Sequence, residues 1–192
     1  VDGLAAGNYS INITYNGGDA NFTGNSTVAN FTITPARTNV TVTENESVIY
    51  NNTVVIKYEI ANIDTNASIV AFDEDQFNVA VKDAKGNDVT NKAKISVNNG
   101  NVTVDGLAAG NYSINITYNG GSANFTGNDT VAHFEIIPAR TNVTVTENKS
   151  VIYNNTVVIK YEIANIDTNA SIVAFDEDQF NVARVGEKCD AA

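Results

Sequence analysis

The chain has 192 residues and carries 22 acidic side chains against 11 lysines and arginines, which gives a formal net charge of −11. This charge and the lack of a basic cluster argue against nucleic acid and anionic membrane surfaces as partners. Hydrophobic residues make up 43% of the sequence without a run of eighteen apolar residues, so the composition predicts a globular protein with no direct membrane insertion.

A long internal repeat organises the sequence. Residues 1–80 align without a gap with residues 104–183, at a period of 103 residues, and 74 of the 80 aligned positions are identical. A period of about 100 residues is too long for a solenoid repeat and matches one small β-sandwich domain per repeat. The six differing positions are Asp19/Ser122, Ser26/Asp129, Asn30/His133, Thr32/Glu135, Thr34/Ile137 and Glu46/Lys149.

The sequence Pro-Ala-Arg at 35–37 and again at 138–140 marks the predicted boundaries between units, because proline ends a strand and stiffens a linker. One complete unit then covers residues 36–138. Residues 1–35 are predicted to be the C-terminal part of a preceding unit, residues 139–183 the N-terminal part of a following unit, and residues 184–192 a tail outside the repeat. Because the first residue lies inside a unit, we expect a processed piece of a longer chain. The partial units lack strands to close a sandwich, and their exposed edges invite pairing with another chain.

Strands are predicted in chain order from apolar side chains that alternate with polar ones. In the first partial unit, the stretch 4–15 ends at a turn on Asn16-Gly17 and places four side chains on one inward face: Tyr9, Ile11, Ile13 and Tyr15. In the complete unit, strands are predicted at 38–43, 53–61, 68–72, 77–81, 93–97, 102–104, 107–118 and around 132–136, with a hairpin about Asn99-Gly100. This number of short strands predicts a two-sheet antiparallel sandwich.

The stretch 4–15 returns at 107–118, and in both copies a leucine and then a glycine precede a tyrosine that leads into the strand. This arrangement resembles the corner before strand F of an immunoglobulin-like sandwich, where a tyrosine hydroxyl bonds back to upstream backbone. The resemblance implies that Tyr9 and Tyr112 are structural corner tyrosines. The predicted fold class is therefore all-β, an antiparallel immunoglobulin-like β-sandwich repeated in tandem.

Acceptor motifs of the form Asn-x-Ser/Thr are the densest pattern in the chain, with nine in the complete unit where chance predicts about 2.5. Strand alternation is a second source of the pattern, because Asn and Thr two residues apart share a face. It accounts well for Asn12 and Asn115 and less well for loop positions such as Asn21 and Asn124. We expect all of the sites to face solvent and some of them to carry N-linked glycans. The candidate glycosylation residues are Asn8, Asn12, Asn21, Asn25, Asn30, Asn39, Asn45, Asn51, Asn66, Asn101, Asn111, Asn115, Asn124, Asn128, Asn142, Asn148, Asn154 and Asn169.

The sequence predicts no enzyme activity, no cofactor and no metal site. His133 is the only histidine, and because it alternates outward, a surface role outweighs a catalytic or metal-binding one. The acidic run 73–75, repeated at 176–178, offers calcium ligands together with Asp64. A solvated acidic loop is preferred, because no calcium-loop spacing with its glycine is present.

Two further kinds of residue have both a structural and a reactive interpretation. Lys57 and its repeat partner Lys160 lie mid-strand, where a desolvated lysine beside a carboxyl group forms an isopeptide bond in some sandwich domains. Alternation turns Lys57 outward, which favours an ordinary exposed cross-strand pair. Cys189 is the only cysteine, so it has no partner for a disulfide within the chain. A disulfide between two chains is one interpretation, and an abrupt chain end without a role for the cysteine is the preferred one.

Three segments carry a resemblance to a known class of repeat: Gly-Asn-Tyr-Ser-Ile-Asn-Ile-Thr-Tyr-Asn-Gly, Asn-Phe-Thr-Gly-Asn and Pro-Ala-Arg-Thr-Asn-Val-Thr-Val. Together they resemble the tandem bacterial-type immunoglobulin-like repeats of large archaeal adhesin-like surface proteins. The resemblance covers residues 1–183 and is specific to the repeat type, not to a ligand. It implies secretion, display at the extracellular cell surface, many tandem copies, and use as a stalk or an adhesive surface.

The sequence thus predicts a non-enzymatic, extracellular structural and adhesive repeat protein that forms a cell-surface stalk, with neighbouring copies of the repeat and N-linked glycans as partners. The alternative is a subunit of an extracellular filament, in which residues 139–183 of one copy supply strands that residues 1–35 of the next copy lack. A carbohydrate-binding module is the weakest alternative, because the chain has no Trp and most of its Tyr and Phe are predicted to point inward.

Overall fold

The structure of the protein is a computed structural model that describes residues 1–18, 20–69, 74–98, 100–173, 176–183 and 186. Within these ranges the protein is all-β, with twelve strands, three short 3₁₀ helices and no α-helix. None of the helical turns in the same ranges is long and apolar enough to cross a membrane. In chain order the strands are β1 (Gly7–Tyr15), β2 (Asn25–Ile33), β3 (Thr38–Asn45), β4 (Val48–Ile49), β5 (Val54–Asn62), β6 (Phe77–Asp83), β7 (Lys94–Asn98), β8 (Asn101–Asp105), β9 (Gly110–Tyr118), β10 (Asn128–Ile137), β11 (Thr141–Asn148) and β12 (Ile159–Asn165).

The chain divides into two compact units, Val1–Pro138 and Ala139–Ala192. The first unit holds a two-stranded sheet of β1 and β2 and two four-stranded sheets, in strand order β3-β5-β8-β7 and β4-β10-β9-β6. The second unit holds a two-stranded sheet of β11 and β12. Every pair of these strands is antiparallel except β4 and β10, which run parallel. The prediction of an all-β protein with antiparallel sheets is confirmed.

Side-chain alternation builds the two four-stranded sheets as predicted. In β5 the residues that alternate inward are all buried, and those between them face solvent: the buried ones are Val54, Ile56, Tyr58 and Ile60. In β9, which lies between β6 and β10, the inward side chains of Ile114, Ile116 and Tyr118 are buried in the same way. A period of two puts every apolar side chain of such a strand on one face, so a single sheet gains one buried face and one wet face.

The two four-stranded sheets share one hydrophobic core. On one side its buried side chains come from β3, β5 and β8, for example Val40 and Val102. On the other side they come from β6, β9 and β10, for example Val81 and Phe134. Because both sheets contribute, neither sheet can bury its apolar face without the other, and residues 36–138 complete this core among themselves.

Three aromatic rings connect the two sheets inside this core. The ring of Tyr58 in β5 lies 5.1 Å from the ring of Phe77 in β6, and Phe77 lies 5.4 Å from Tyr118 in β9. Tilted pairs at these distances each contribute about 0.5–1.5 kcal/mol beyond the area that they bury. The row therefore fixes how the two sheets face each other.

The first residues of the complete unit are bound to the loop between β9 and β10. The amide of Ala36 donates to the carbonyl of Asn124 at 2.8 Å, and the amide of Thr126 donates back to Ala36 at 2.9 Å. The hydroxyl of Thr38, which is buried, donates to the carbonyl of Thr126 at 2.6 Å. The start of the unit is thus closed onto its last hairpin.

Two local features were not predicted from alternation. Strand β4 has only two residues, and it pairs in parallel with Ile136 and Ile137 of β10. The register of β3 against β5 shifts between Val42 and Glu44, which is a β-bulge. Two residues are too few to show a period, and a bulge interrupts the period by one position.

Some predicted elements fall partly outside the described residues. Of the predicted strand 68–72, Ser68 forms an isolated bridge with Ala61, and positions 70–72 are not described. Strands β7 and β8 pair as the predicted hairpin, although Asn99 of its turn lies outside the described ranges. Nearly all of the tail, including Cys189, also lies outside them.

The predicted inward face of β1 is wrong in one half of the strand. Strand β1 ends at Tyr15 as predicted, and the following Gly17 has a φ of +84°, where a Cβ atom would lie 2.6 Å from the carbonyl oxygen of Phe22. However, Ile13 and Tyr15 are exposed, whereas Tyr9 and Ile11 are only partly buried. The physical reason is that, among the described strands, none packs over this half of the β1–β2 hairpin.

Candidate functional site

The outer face of β10 carries the histidine. His133 is exposed, and its backbone carbonyl accepts a hydrogen bond from the side-chain amide of Asn45. It lines a shallow, open depression together with Tyr112 and Glu135 among others. Across the described ranges, no group of three or more His, Cys, Asp or Glu side chains is placed to hold a metal ion. The arrangement around His133 is that of a surface residue on a sheet.

Asp64, which the disfavoured calcium interpretation would use as a ligand, is bound by an arginine. Arg37 Nη2 lies 2.6 Å from Asp64 Oδ1, and Arg37 Nε and its backbone amide also donate to the same carboxylate. These hydrogen bonds hold the pKa of Asp64 below its usual value. The second unit has the same pair, with Arg140 Nη2 at 2.6 Å from Asp167 Oδ1. The pair was missed because its members are 27 residues apart, although its exact recurrence in the repeat was a usable signal.

The described aspartates of the acidic run, 73–75 and 176–178, face solvent. Asp75, Asp176 and Asp178 are exposed, while position 73 and the side chains of Glu74 and Glu177 lie outside what the structure describes. An exposed carboxylate keeps its hydration shell, which is the arrangement of a solvated acidic loop. The absence of a metal site therefore stays a prediction.

The mid-strand lysines form exposed ion pairs across strands. Lys57 Nζ lies 2.5 Å from Glu44 Oε2, and both side chains are about half exposed. In the second unit Glu147 lies 2.5 Å from Lys160 and 2.6 Å from Lys149, and these two lysines lower its pKa. Isopeptide chemistry needs a desolvated lysine, so the solvent around Lys57 favours the plain ion pair.

The two predicted corner tyrosines, Tyr9 and Tyr112, each donate a hydrogen bond to upstream backbone. The hydroxyl of Tyr112 donates to the carbonyl of Ala108 at 2.9 Å, and that of Tyr9 to the carbonyl of Ala5 at 2.8 Å. The ring of Tyr112 also stacks on Phe134 at 5.4 Å. Partial burial raises the pKa of Tyr112, and the negative charge of Asp83 adds to this effect. The hydrogen bond forms in the β1–β2 hairpin and in residues 36–138 alike, which indicates that it depends on local sequence.

Fifteen of the eighteen candidate glycosylation residues are exposed. The prediction that all of them face solvent is wrong at three positions, which are partly buried: Asn101, Asn115 and Asn128. Asn115 lies in the middle strand of its sheet, between β6 and β10, where neighbouring side chains cover it. A strand at the centre of a sheet shields even its outward side chains on two sides.

Several of the motifs also have a structural reason in the fold. The side-chain amide of Asn39 donates to the hydroxyl of Thr41 at 3.0 Å, and Asn142 to Thr144 at 3.2 Å. These are the same-face neighbours that strand alternation places two residues apart. Four more acceptor residues have left-handed backbone conformations, which asparagine tolerates better than most residues do: Asn51, Asn66, Asn154 and Asn169.

Two sheets expose apolar faces that the complete unit buries. In the β1–β2 hairpin, Ile13 is 56% exposed, whereas its repeat partner Ile116 is 0% exposed. In the β11–β12 sheet, Ile159 is 57% exposed, whereas its repeat partner Ile56 is 0% exposed. We call these the N-face, formed by Leu4, Ile13, Tyr15 and Phe22, and the C-face, formed by Val143, Val145, Val157, Ile159 and Tyr161.

The described surface has three notable features: the N-face, the C-face in the other unit, and many exposed asparagine amides. No model of a known protein family matches this chain, and no curated protein matches it either. Large exposed apolar patches mark sites where another surface binds.

Proposed function

We propose that this chain is a non-enzymatic structural and adhesive repeat protein that forms a stalk at the extracellular surface of a cell. The observation that carries the proposal is that one 103-residue unit completes its own core and that 80 of its 103 positions recur in the chain, 74 of them unchanged. Near-identity suits a spacer, whose length comes from repetition, better than it suits a binding site that needs one special surface.

The tandem immunoglobulin-like arrangement is part of this proposal. Two four-stranded sheets around one core support it, as does the hydrogen bond from Tyr112 to the backbone four residues upstream. The recurrence of the Arg37–Asp64 pair as Arg140–Asp167 supports a second unit that starts in the same way. Each unit in the stalk is then an independent sandwich on a proline-stiffened linker.

The parallel pair of β4 and β10 suits a protein under tension. Strand β4 lies near the start of the complete unit, and β10 ends it. A force that pulls the two ends of the unit apart therefore acts on these two strands in opposite directions, parallel to their axes. The amide of Tyr50 also donates to the carbonyl of Ile137 at 2.8 Å, just beyond the pair. Hydrogen bonds that cross from strand to strand must then break together, which resists extension more than opening them one at a time.

N-linked glycans at some of the exposed acceptor residues are also part of the proposal. Asn39, Asn66 and Asn111 are exposed, so a sugar there would leave the core intact. Asn115 serves as a matched negative position, because its side chain is partly buried at the centre of a sheet. A glycan coat would add to the solubility that the net charge of −11 already favours.

Surface labelling of the native cells tests the proposal. An antibody raised against residues 36–138 should label intact cells as strongly as permeabilised ones. Glycopeptide mass spectrometry of the native protein should find sugars at exposed positions such as Asn39 and not at Asn115. Labelling that appears only after permeabilisation would refute the cell-surface location.

A further inference from the structure

The repeat partners of the N-face and the C-face form two sides of one core within residues 36–138. In the complete unit, the repeat partners of the C-face lie on β3 and β5, and those of the N-face lie on and around β9 and β10. These strands belong to the two sheets that pack on each other, and their inward side chains form one cluster. The complete unit therefore shows which surface covers each exposed face.

The strand edges of the partial units match in the same way. Residues 151–152, the repeat partners of β4, form no strand, and neither do residues 180–183, the partners of the first part of β6. In the complete unit β4 pairs with β10 and β6 pairs with β9. The repeat partners of β9 and β10 are β1 and β2, whose outer edges carry no strand in the described part of their unit. Each partial unit thus lacks the partner that the other supplies.

We propose that residues 139–183 of one copy of this chain bind residues 1–35 of a second copy and form a composite two-layered body. The C-face packs on the N-face, residues 151–152 pair with β2, and residues 180–183 pair with β1. Each copy carries one surface of each kind, so the contact is head-to-tail and open-ended, which gives the filament alternative a physical form. The proposal stands independently of a cell-surface location.

The composite body contains fewer strands than the complete unit, residues 36–138. It supplies 80 of the 103 repeat positions and lacks the partners of 81–103, which contain β7 and much of β8. We therefore expect association that depends on concentration. Copies with a net charge of −11 repel one another, so added salt should strengthen the association by screening, whereas a contact held by ion pairs would weaken.

Sedimentation velocity of the purified chain over a range of concentrations tests the proposal. The mass should rise from 20.4 kDa through multiples of that value, and more so in high salt. A chain that stays at 20.4 kDa at the highest concentration reached would overturn the proposal and leave the stalk proposal standing.

Matched variants identify the contact. Ile13→Asp in the N-face and Ile159→Asp in the C-face should each raise the concentration needed for association by about a hundredfold or more, because each buries a carboxylate without a partner. Val28→Asp in β2 and Val158→Asp, next to the start of β12, are the controls: these residues are 61% and 60% exposed, and their repeat partners Val131 and Val55 are exposed too, so both changes should leave association unaffected. All four positions are exposed in the single chain, and thermal melts should show unchanged folding of the complete unit.

Mixing the two face variants separates head-to-tail binding from self-binding of one face. Ile13→Asp keeps an intact C-face and Ile159→Asp keeps an intact N-face, so an equimolar mixture should form pairs of two chains that grow no further. If each variant alone still forms dimers, or if the mixture remains monomeric, the proposed contact is wrong.

Discussion

The repeat offers a comparison of one side chain in two environments. Ile116 and Ile13 lie in the same heptapeptide, Tyr-Ser-Ile-Asn-Ile-Thr-Tyr, but β1 pairs only with β2, whereas β9 pairs with both β10 and β6. Ile116 is fully buried between two sheets, and Ile13 is more than half exposed. Replacing each by alanine changes the local β-propensity by the same amount, so the difference between the two variants measures packing against the second sheet and against β6.

We expect Ile116→Ala to lower the free energy of unfolding by about 3 kcal/mol, because it removes buried methyl and methylene groups and leaves a cavity. At a urea slope of about 1.5 kcal/mol per M, the midpoint would fall by about 2 M. Ile13→Ala should change the free energy of unfolding by less than about 0.5 kcal/mol. Urea melts followed by tyrosine fluorescence, at concentrations where the chains are monomeric, measure both. Equal losses in the two variants would refute the assignment of the core to residues 36–138.

Three further predictions concern single groups. Tyr112→Phe should cost about 0.5–1.5 kcal/mol in urea melts through the lost hydrogen bond, whereas Tyr9→Phe should leave the main transition unchanged; equal effects would contradict a role inside the core unit. Hydrogen bonds hold the pKa of Asp83 below its ordinary value, so the stability that it contributes is complete above a pH of about 3.8 and is lost as the pH falls through the lower native value. Asp83→Asn should therefore flatten the acid side of the stability profile, and an unchanged profile would contradict this. The Lys57–Glu44 ion pair should remain uncrosslinked, so the intact mass of the chain made without glycans should equal the sequence mass, and a loss of one water would show an isopeptide bond.

Alternation predicted the two central sheets because their strands are long and regular. Val54 to Ile60 in β5 and Ile114 to Tyr118 in β9 follow a period of two without interruption, and each falls in a buried strand. Strand β4 has two residues and is placed by its parallel partner β10, which nothing in its own sequence reveals. The bulge after Val42 depends in the same way on its neighbour β5.

Burial was harder to predict than strand position. Tyr15 and Tyr118 have the same local sequence, yet one is 53% exposed and the other 2% exposed, because a second sheet covers only the latter. Alternation of apolar and polar residues indicates which face of a strand is apolar, but it does not indicate whether a second sheet covers that face. The same limit applies to Asn115, whose outward position is right but whose neighbours in the sheet cover it. Asp64 entered the calcium alternative only through its charge, and the partner that the structure shows, Arg37, lies 27 residues away in the sequence.

The interchangeable hairpins have a consequence for how a chain of such units folds. Because β1 with β2 and β9 with β10 carry nearly the same sequence, a hairpin from one unit fits the opening of its neighbour during refolding. Swapped intermediates of this kind are a known failure of repeated domains. Synthesis from the ribosome, which finishes one unit before the next emerges, would avoid them, so chains refolded from denaturant should recover more slowly than newly made ones.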